Sequence, residues 1–168
     1  GRDFVAFLDC DDELEPGALS VIGGKIVAHP EVDYFFSDRR DVNESGVQVR
    51  VASYGGYGSI SFRSQACIKD DLLDGMVASH LKVIRRDAYL AVGGCDPLFS
   101  GVQDWDLALR LAERSTLHYV DQVLYRHRVH LNSVTRGDLV AQFRKTNCLR
   151  RRFGERWLMP QGVRPDAQ

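Results

Sequence analysis

The sequence predicts an α/β protein, a sheet layered with helices, on three observations. An apolar run, Phe4 to Leu8, ends abruptly in the acids Asp9, Asp11, Asp12 and Glu13. A stretch of helical period and a second apolar run follow at once, the strand, helix, strand order of an α/β layer. Farther on, short β-rich runs again alternate with helical patterns, and glycine or acid clusters punctuate the joins.

Phe4, Val5, Ala6, Phe7 and Leu8 are aromatic, β-branched or aliphatic without a polar break, the pattern of a buried strand. Carboxylates at the carboxyl end of such a strand stand where open α/β sheets place their ligands. Three aspartates within four residues repel one another, and a divalent cation that neutralises them explains their grouping. The plainer alternative is that Asp12 or Glu13 favours the start of a helix over about Pro16 to Ala28. Ala18, Leu19, Val21, Ile22, Ile26 and Val27 give that helix its spacing, and His29 with Pro30 stops it.

Val32 to Phe36 reads as a second buried strand ending at Ser37 and Asp38. Asn43 to Gly46 marks a turn, and Val47, Val49 and Val51 alternate as a half-buried strand does. Ser53 to Ser64, rich in Gly, Ser and Tyr, reads as a surface loop. Val77 to Ile84 is another strand, Arg85 and Arg86 open a short helix through Val92, and Gly93 with Gly94 breaks the chain. From Asp104 a stronger helix carries Trp105, Leu107, Ala108, Leu111 and Ala112 on one face. Leu117 to Val120 and Val123 to Tyr125 are two short strands. The final helix, about Leu139 to Trp157, is apolar on one side and basic on the other, through Arg144, Lys145, Arg150, Arg151, Arg152 and Arg156. Pro160 to Gln168 reads as a loose tail.

At 168 residues the chain fits one domain with a sizeable core. Lys and Arg total 22 against 23 for Asp and Glu, a balance without the footprint of a nucleic-acid binder. No apolar stretch approaches bilayer length and no secretory pattern stands at the amino end, so the expected location is cytoplasmic. Cys10, Cys67, Cys95 and Cys148 form no Cys-x-x-Cys pair and read as reduced thiols.

Two later segments join the acid run as candidate chemistry. Gly93-Gly94-Cys95-Asp96 leads through Gln103 into Asp104, Trp105 and Asp106 at a helix start. One such carboxylate is an ordinary cap, worth about 1 kcal/mol, but that does not explain the glycine-rich, aromatic approach to both. Tyr125 to Ser133 packs His127 and His130 with Arg126 and Arg128, a mixture suited to metal and phosphate.

These three segments, in this order, resemble family 2 glycosyltransferases of the GT-A fold, over Gly1 to about Thr135, and among them the bacterial enzymes of O-antigen and surface polysaccharide. Phe7-Leu8-Asp9-Cys10-Asp11-Asp12 resembles the family's metal-binding Asp-x-Asp region. Gly93 to Asp96 with Gln103 to Leu107 and Arg110 resembles its acceptor loop and base helix, and Val123 to Tyr125 with Arg128, His130 and Ser133 its closing loop. The chain departs from the family at Gln103, where Glu is frequent, and at Cys95, where Phe is usual.

The resemblance implies a mixed, Rossmann-like sheet flanked by helices. Residues 1–158 would be the carboxyl-terminal portion of the GT-A domain, without its first nucleotide-binding strands, and residues 159–168 a flexible tail. It implies metal-dependent, inverting transfer of a sugar from a nucleotide diphosphate sugar to a glycan or lipid-linked acceptor. Asp11, Asp9 and His130 would hold Mn²⁺ or Mg²⁺. Asp9, Asp11, Asp12 and Arg128 would face the donor, with Asp104 as general base. Trp105, Gly94 and His80 would border the acceptor, although Trp105 fits the core equally well and Asp106 reads as a support for Arg110. The basic face of the last helix would approach anionic lipid at the inner face of the plasma membrane; a solvated helix packed on the enzyme is its alternative.

Two other readings compete. A haloacid dehalogenase-like phosphatase also places Asp-x-Asp after an apolar strand, and Lys69, Asp70 and Asp71 imitate its later residues. It puts Thr or Val where this chain has Glu13, and it leaves the Gln103 and Arg128 segments unexplained. The other is a truncated, inactive or partner-dependent domain that binds metal or ligand only.

Overall fold

The computed structural model describes residues 3–54, 68–130 and 139–158. Within them a six-stranded mixed sheet is flanked on both faces by helices, the α/β architecture expected from the sequence. The strands are β1 (Phe4–Phe7), β2 (Glu13–Leu14), β3 (Tyr34–Val42), β4 (Gln48–Ala52), β5 (His80–Arg85) and β6 (Leu117–Arg128). The helices are α1 (Ala18–Ala28), α2 (Ile68–Asp74), α3 (Arg86–Ala91), α4 (Gln103–Ala112) and α5 (Leu139–Leu158). The tail and most of the Ser53 to Ser64 loop lie outside the described residues, as does Ser133.

The spatial order is β1-β5-β3-β6-β2, with β4 also on β3. β3 and β6 run parallel, and every other pairing is antiparallel. β3 is the spine. Its first half pairs with β5, its second half with β4, and its other edge with β6 along its whole length. Alternation along it divides the core: Tyr34 and Phe36 join α2, α4 and α5, whereas Phe35 joins α1 through Ala18 and Ile22.

Four local expectations are corrected. The run Phe4 to Leu8 is not a fully buried strand: β1 stops at Phe7 and pairs only with β5, and Leu8 is half exposed. Glu13 does not start a helix, because Glu13 and Leu14 pair with Arg126 and Tyr125 as β2, and α1 begins after Gly17, whose φ is +81°. β4 is exposed from Gln48 through Val51 rather than half-buried. The two runs after Leu117 form one strand, whose register against β3 shifts between Val120 and Val123. That irregularity absorbs Asp121 and Gln122 and accounts for the interrupted pattern.

Candidate functional site

The acid loop begins where β1 ends. Asp12 turns back on it, its N–H donating to the Asp9 carbonyl at 3.1 Å. The Asp12 carboxylate then ties the loop to β6: Oδ2 accepts from the Tyr125 hydroxyl at 2.7 Å, and Oδ1 from the Arg128 N–H at 2.7 Å. Burial, with the Asp12 carboxylate beside it, pushes the Tyr125 phenol far above its ordinary range, so it remains a donor. Asp9 is exposed, and its side chain takes no hydrogen bond from the described residues.

Carboxylate oxygens of Asp9 and Asp12 and one ring nitrogen of His80 all lie within 4.8 Å of one another. His80 therefore stands with the acid loop, and Asp9 is grouped with Asp12 and His80. Asp11 pairs separately with His130, Nε2 to Oδ2 at 2.8 Å. That hydrogen bond holds the Asp11 carboxyl below the usual carboxylate range.

The two Asp carboxylates suit a hard divalent cation such as Mn²⁺ or Mg²⁺, which prefers oxygen ligands. His80 does not join them as a ligand. Arg39 Nη1 lies 3.0 Å from its Nδ1, and a guanidinium only donates, so Nδ1 accepts and the ring proton sits on Nε2. Neither nitrogen then has a lone pair to offer. Burial first, then the charges of Lys82, Arg39 and His127, drive the His80 pKa down to about 2, so the ring is neutral.

Behind this cluster Asp41, only 1% exposed, receives Arg39 Nε at 2.9 Å, Arg50 Nε at 2.5 Å and His127 Nδ1 at 3.0 Å. Burial alone would raise its carboxyl, but Arg50, Arg39 and His127 outweigh it and hold the group below the usual range. Arg128 spans the acid loop and the β3–β4 turn, donating to the carbonyls of Asp11, Asn43 and Glu44 and to Glu13 Oε1.

The second half of the site is the first turn of α4. Asp104 is partly exposed, and its Oδ2 accepts from Lys82 Nζ at 2.8 Å. Asp106, two residues on, is fully buried against Arg110. The same guanidinium donates to the carbonyls of Val92 and Gly94 at 2.6 and 2.8 Å. Arg110 thus fastens the glycine turn to α4, the supporting role read for Asp106. Gly94 has φ +69°, and a Cβ there would meet the Tyr89 hydroxyl at 3.0 Å, so the turn requires glycine. Trp105 is in the core, its Nε1 donating to the Leu72 carbonyl at 2.7 Å, the placement the sequence left open for it.

Tyr125 belongs to the closing-loop segment read from the sequence, whereas Lys82 and Arg39 do not stand out there. Of these two, Lys82 alone leaves a trace, as a cation within the apolar run Val77 to Ile84. On α5, Lys145, Arg150 and Arg156 bind the Ser100 carbonyl, the Leu73 and Asp74 carbonyls, and Glu113. Part of the basic face therefore serves to dock the helix. Among the described residues no helix is long and apolar enough to cross a membrane.

No family model matches the chain. It is similar to the O-antigen biosynthesis protein RfbC of Myxococcus xanthus, 32% identical over 127 residues, which cover 75% of this chain and 9% of that protein. It is also similar to a chondroitin synthase of Pasteurella multocida, 22% identical over 83% of this chain and 14% of the synthase. A hyaluronan synthase of Pasteurella multocida is 22% identical over 76% and 12% respectively. The chain thus spans about a tenth of the length of these relatives.

Proposed function

We propose that this chain carries the donor-side carboxylates and the general base of a glycosyltransferase, which moves a sugar from a nucleotide diphosphate sugar to a hydroxyl of a glycan or lipid-linked glycan. One observation carries the reading. β5 places His80 beside the acid loop and, two residues on, Lys82 against Asp104, so two candidate half-sites separated by about ninety residues of sequence meet on one rigid strand. The named synthases and the O-antigen protein support the same chemistry.

In the proposed reaction the acceptor oxygen forms a bond to the anomeric carbon from the face opposite the diphosphate. The carbon–oxygen bond to the diphosphate breaks, and its electron pair leaves with the nucleoside diphosphate. The acceptor proton passes to Asp104, and the anomeric configuration inverts. Asp9 and Asp12, with Asp11 beside His130, are the residues that would hold Mn²⁺ or Mg²⁺, which supplies Lewis-acid neutralisation of the diphosphate. Arg128 orders the acid loop, and a diphosphate contact requires it to exchange one of its four present acceptors. Arg144 and Arg152, with Arg151 on exchange of its Glu155 partner, are the α5 cations offered to anionic lipid, a contact that belongs to the same proposal.

Asp104→Asn tests the base. Turnover of the nucleotide sugar should fall by about 10²-fold or more, while Mn²⁺-dependent affinity for the nucleoside diphosphate stays within twofold. Equal loss of both would make Asp104 structural. A second reading, a piece that binds donor or metal but transfers only with the rest of a longer protein, is favoured by the small share of each relative that the chain spans. Binding without turnover in the isolated chain, restored in a longer reading frame, would establish it.

A further inference from the structure

We infer that Lys82 is the positioning residue of Asp104, holding one carboxylate oxygen so that the other is presented to the acceptor. The inference rests on the reading of Asp104 as the base.

Lys82 lies on β5, opposite Phe7 of the edge strand, and its side chain is only 11% exposed. Withdrawing an ammonium this far from water is unfavourable unless a counter-charge lies against it. Among the described residues its one hydrogen-bonding partner is Asp104 Oδ2, at 2.8 Å. The two edges of that carboxylate are unlike. Oδ2 is fixed from the sheet side, whereas Oδ1 takes no hydrogen bond from the described residues, and the side chain is 35% exposed. Asp106 shows what a purely structural acid looks like on this helix: 0% exposed, on a guanidinium that also clamps two carbonyls.

The strand explains why a lysine on β5 suits the task. His80 and Lys82 are two residues apart, so the pleat sends both side chains to one face, about 7 Å apart along the strand. Their closeness is felt electrostatically, since the Lys82 charge helps to depress the His80 pKa. Lys82 thereby fixes the base relative to the acid loop through one rigid element. An ammonium has three donors and no acceptor. Lys82 keeps its protons throughout, and the acceptor proton goes to Oδ1.

The test uses the full 168-residue chain with water as acceptor. Hydrolysis of UDP-glucose, UDP-N-acetylglucosamine, GDP-mannose and dTDP-glucose is followed with Mn²⁺, alongside calorimetric binding of the matching nucleoside diphosphate. Lys82→Met should lower kcat at least tenfold while KM and nucleotide affinity stay within twofold, and Lys82→Arg should recover most of the loss. In an Asp104→Asn background, Lys82→Met should lower turnover no further. Should Lys82→Met fail to fold, Lys82→Gln carries the same comparison.

An unchanged kcat in Lys82→Met, or a parallel fall in kcat and nucleotide affinity, would overturn the inference and leave the base reading standing. A further fall in the Asp104→Asn background would do the same. Full turnover by Asp104→Asn would remove the base reading itself and Lys82's role with it; if the isolated chain turns over none of the four sugars, the same variants are compared in the longer reading frame, where an unchanged kcat in Lys82→Met overturns the inference.

Discussion

The acid loop after β1 and the first turn of α4 each set aspartates two residues apart beside the same strand, and the protein holds them in opposite ways. In the loop, every carboxylate lies near the surface or on a hydrogen-bond donor from a distant element: Asp12 on Tyr125 and Arg128, Asp11 on His130, Asp9 beside them with no hydrogen bond from the described residues. In α4 the two acids divide the work. Asp106 is sunk against Arg110 and anchors the glycine turn, while Asp104 points outward with one oxygen on Lys82. A loop of like charges held by neutral and imidazole donors retains its charge for a ligand. A buried acid on a guanidinium has already spent its charge on the fold.

If that contrast is right, the largest loss of stability comes from α4. Asp106→Ala should cost about 3–5 kcal/mol in urea unfolding, because it leaves the buried Arg110 charge unpaired. A loss under about 1 kcal/mol would remove the distinction between the two acids.

On the loop side, Tyr125→Phe should cost about 1.5–3 kcal/mol, the worth of a hydrogen bond to a charged group. It should also weaken Mn²⁺ affinity, since Asp12 loses one of the two donors that orient it; unchanged affinity would place Asp12 outside the cation site.

The pH dependence separates the regions again. His80 has a folded pKa of about 2, far below its unfolded value near 6.5. The unfolded chain therefore takes up this proton first, and the stability given by neutral His80 is complete above pH 6.5 and is lost as pH falls below it. His80→Gln should reduce the slope of that acid limb by about 1.4 kcal/mol per pH unit. His118, also lowered by burial and by His29, keeps part of the slope in the variant. An unaltered limb would mean that His80 is not neutral in the folded protein. Asp11 and Asp41, both held low, add to the limb only below about pH 4, so the His80 slope is read between about pH 4 and 6.5.

The smallest effect belongs to the glycine turn. Gly94→Ala should cost about 1–2 kcal/mol from its left-handed backbone alone, and turnover should fall with it if the turn borders the acceptor.

How much of this could be read in the sequence follows from which interactions are local. The acid run, the glycine turn and the α4 start are contiguous motifs, and the helix and strand periods around them come from neighbours in the chain. Partners are another matter. Phe4 to Leu8 has the composition of a buried strand, yet composition does not say how many neighbours a strand has, and β1 has one. α2 was missed because its seven residues include Lys69, Asp70, Asp71 and Asp74, which hide the burial of Ile68 and Leu72. The resemblance sets His80 on the acceptor side; its place beside Asp9 and Asp12 depends on a pairing across some seventy residues that no local pattern encodes. The Lys82–Asp104 pair is long-range in the same sense.

On the proposed reading the acid loop is the cation-dependent donor half of a transfer site facing Asp104. Calorimetric titration of the chain with UDP, GDP and dTDP, with and without Mn²⁺, tests it most directly. One nucleotide should bind only with Mn²⁺, Asp9→Asn should abolish the binding, and Asp104→Asn should leave it intact. Binding indifferent to Mn²⁺ and to Asp9→Asn, or no binding by the folded chain, would contradict it.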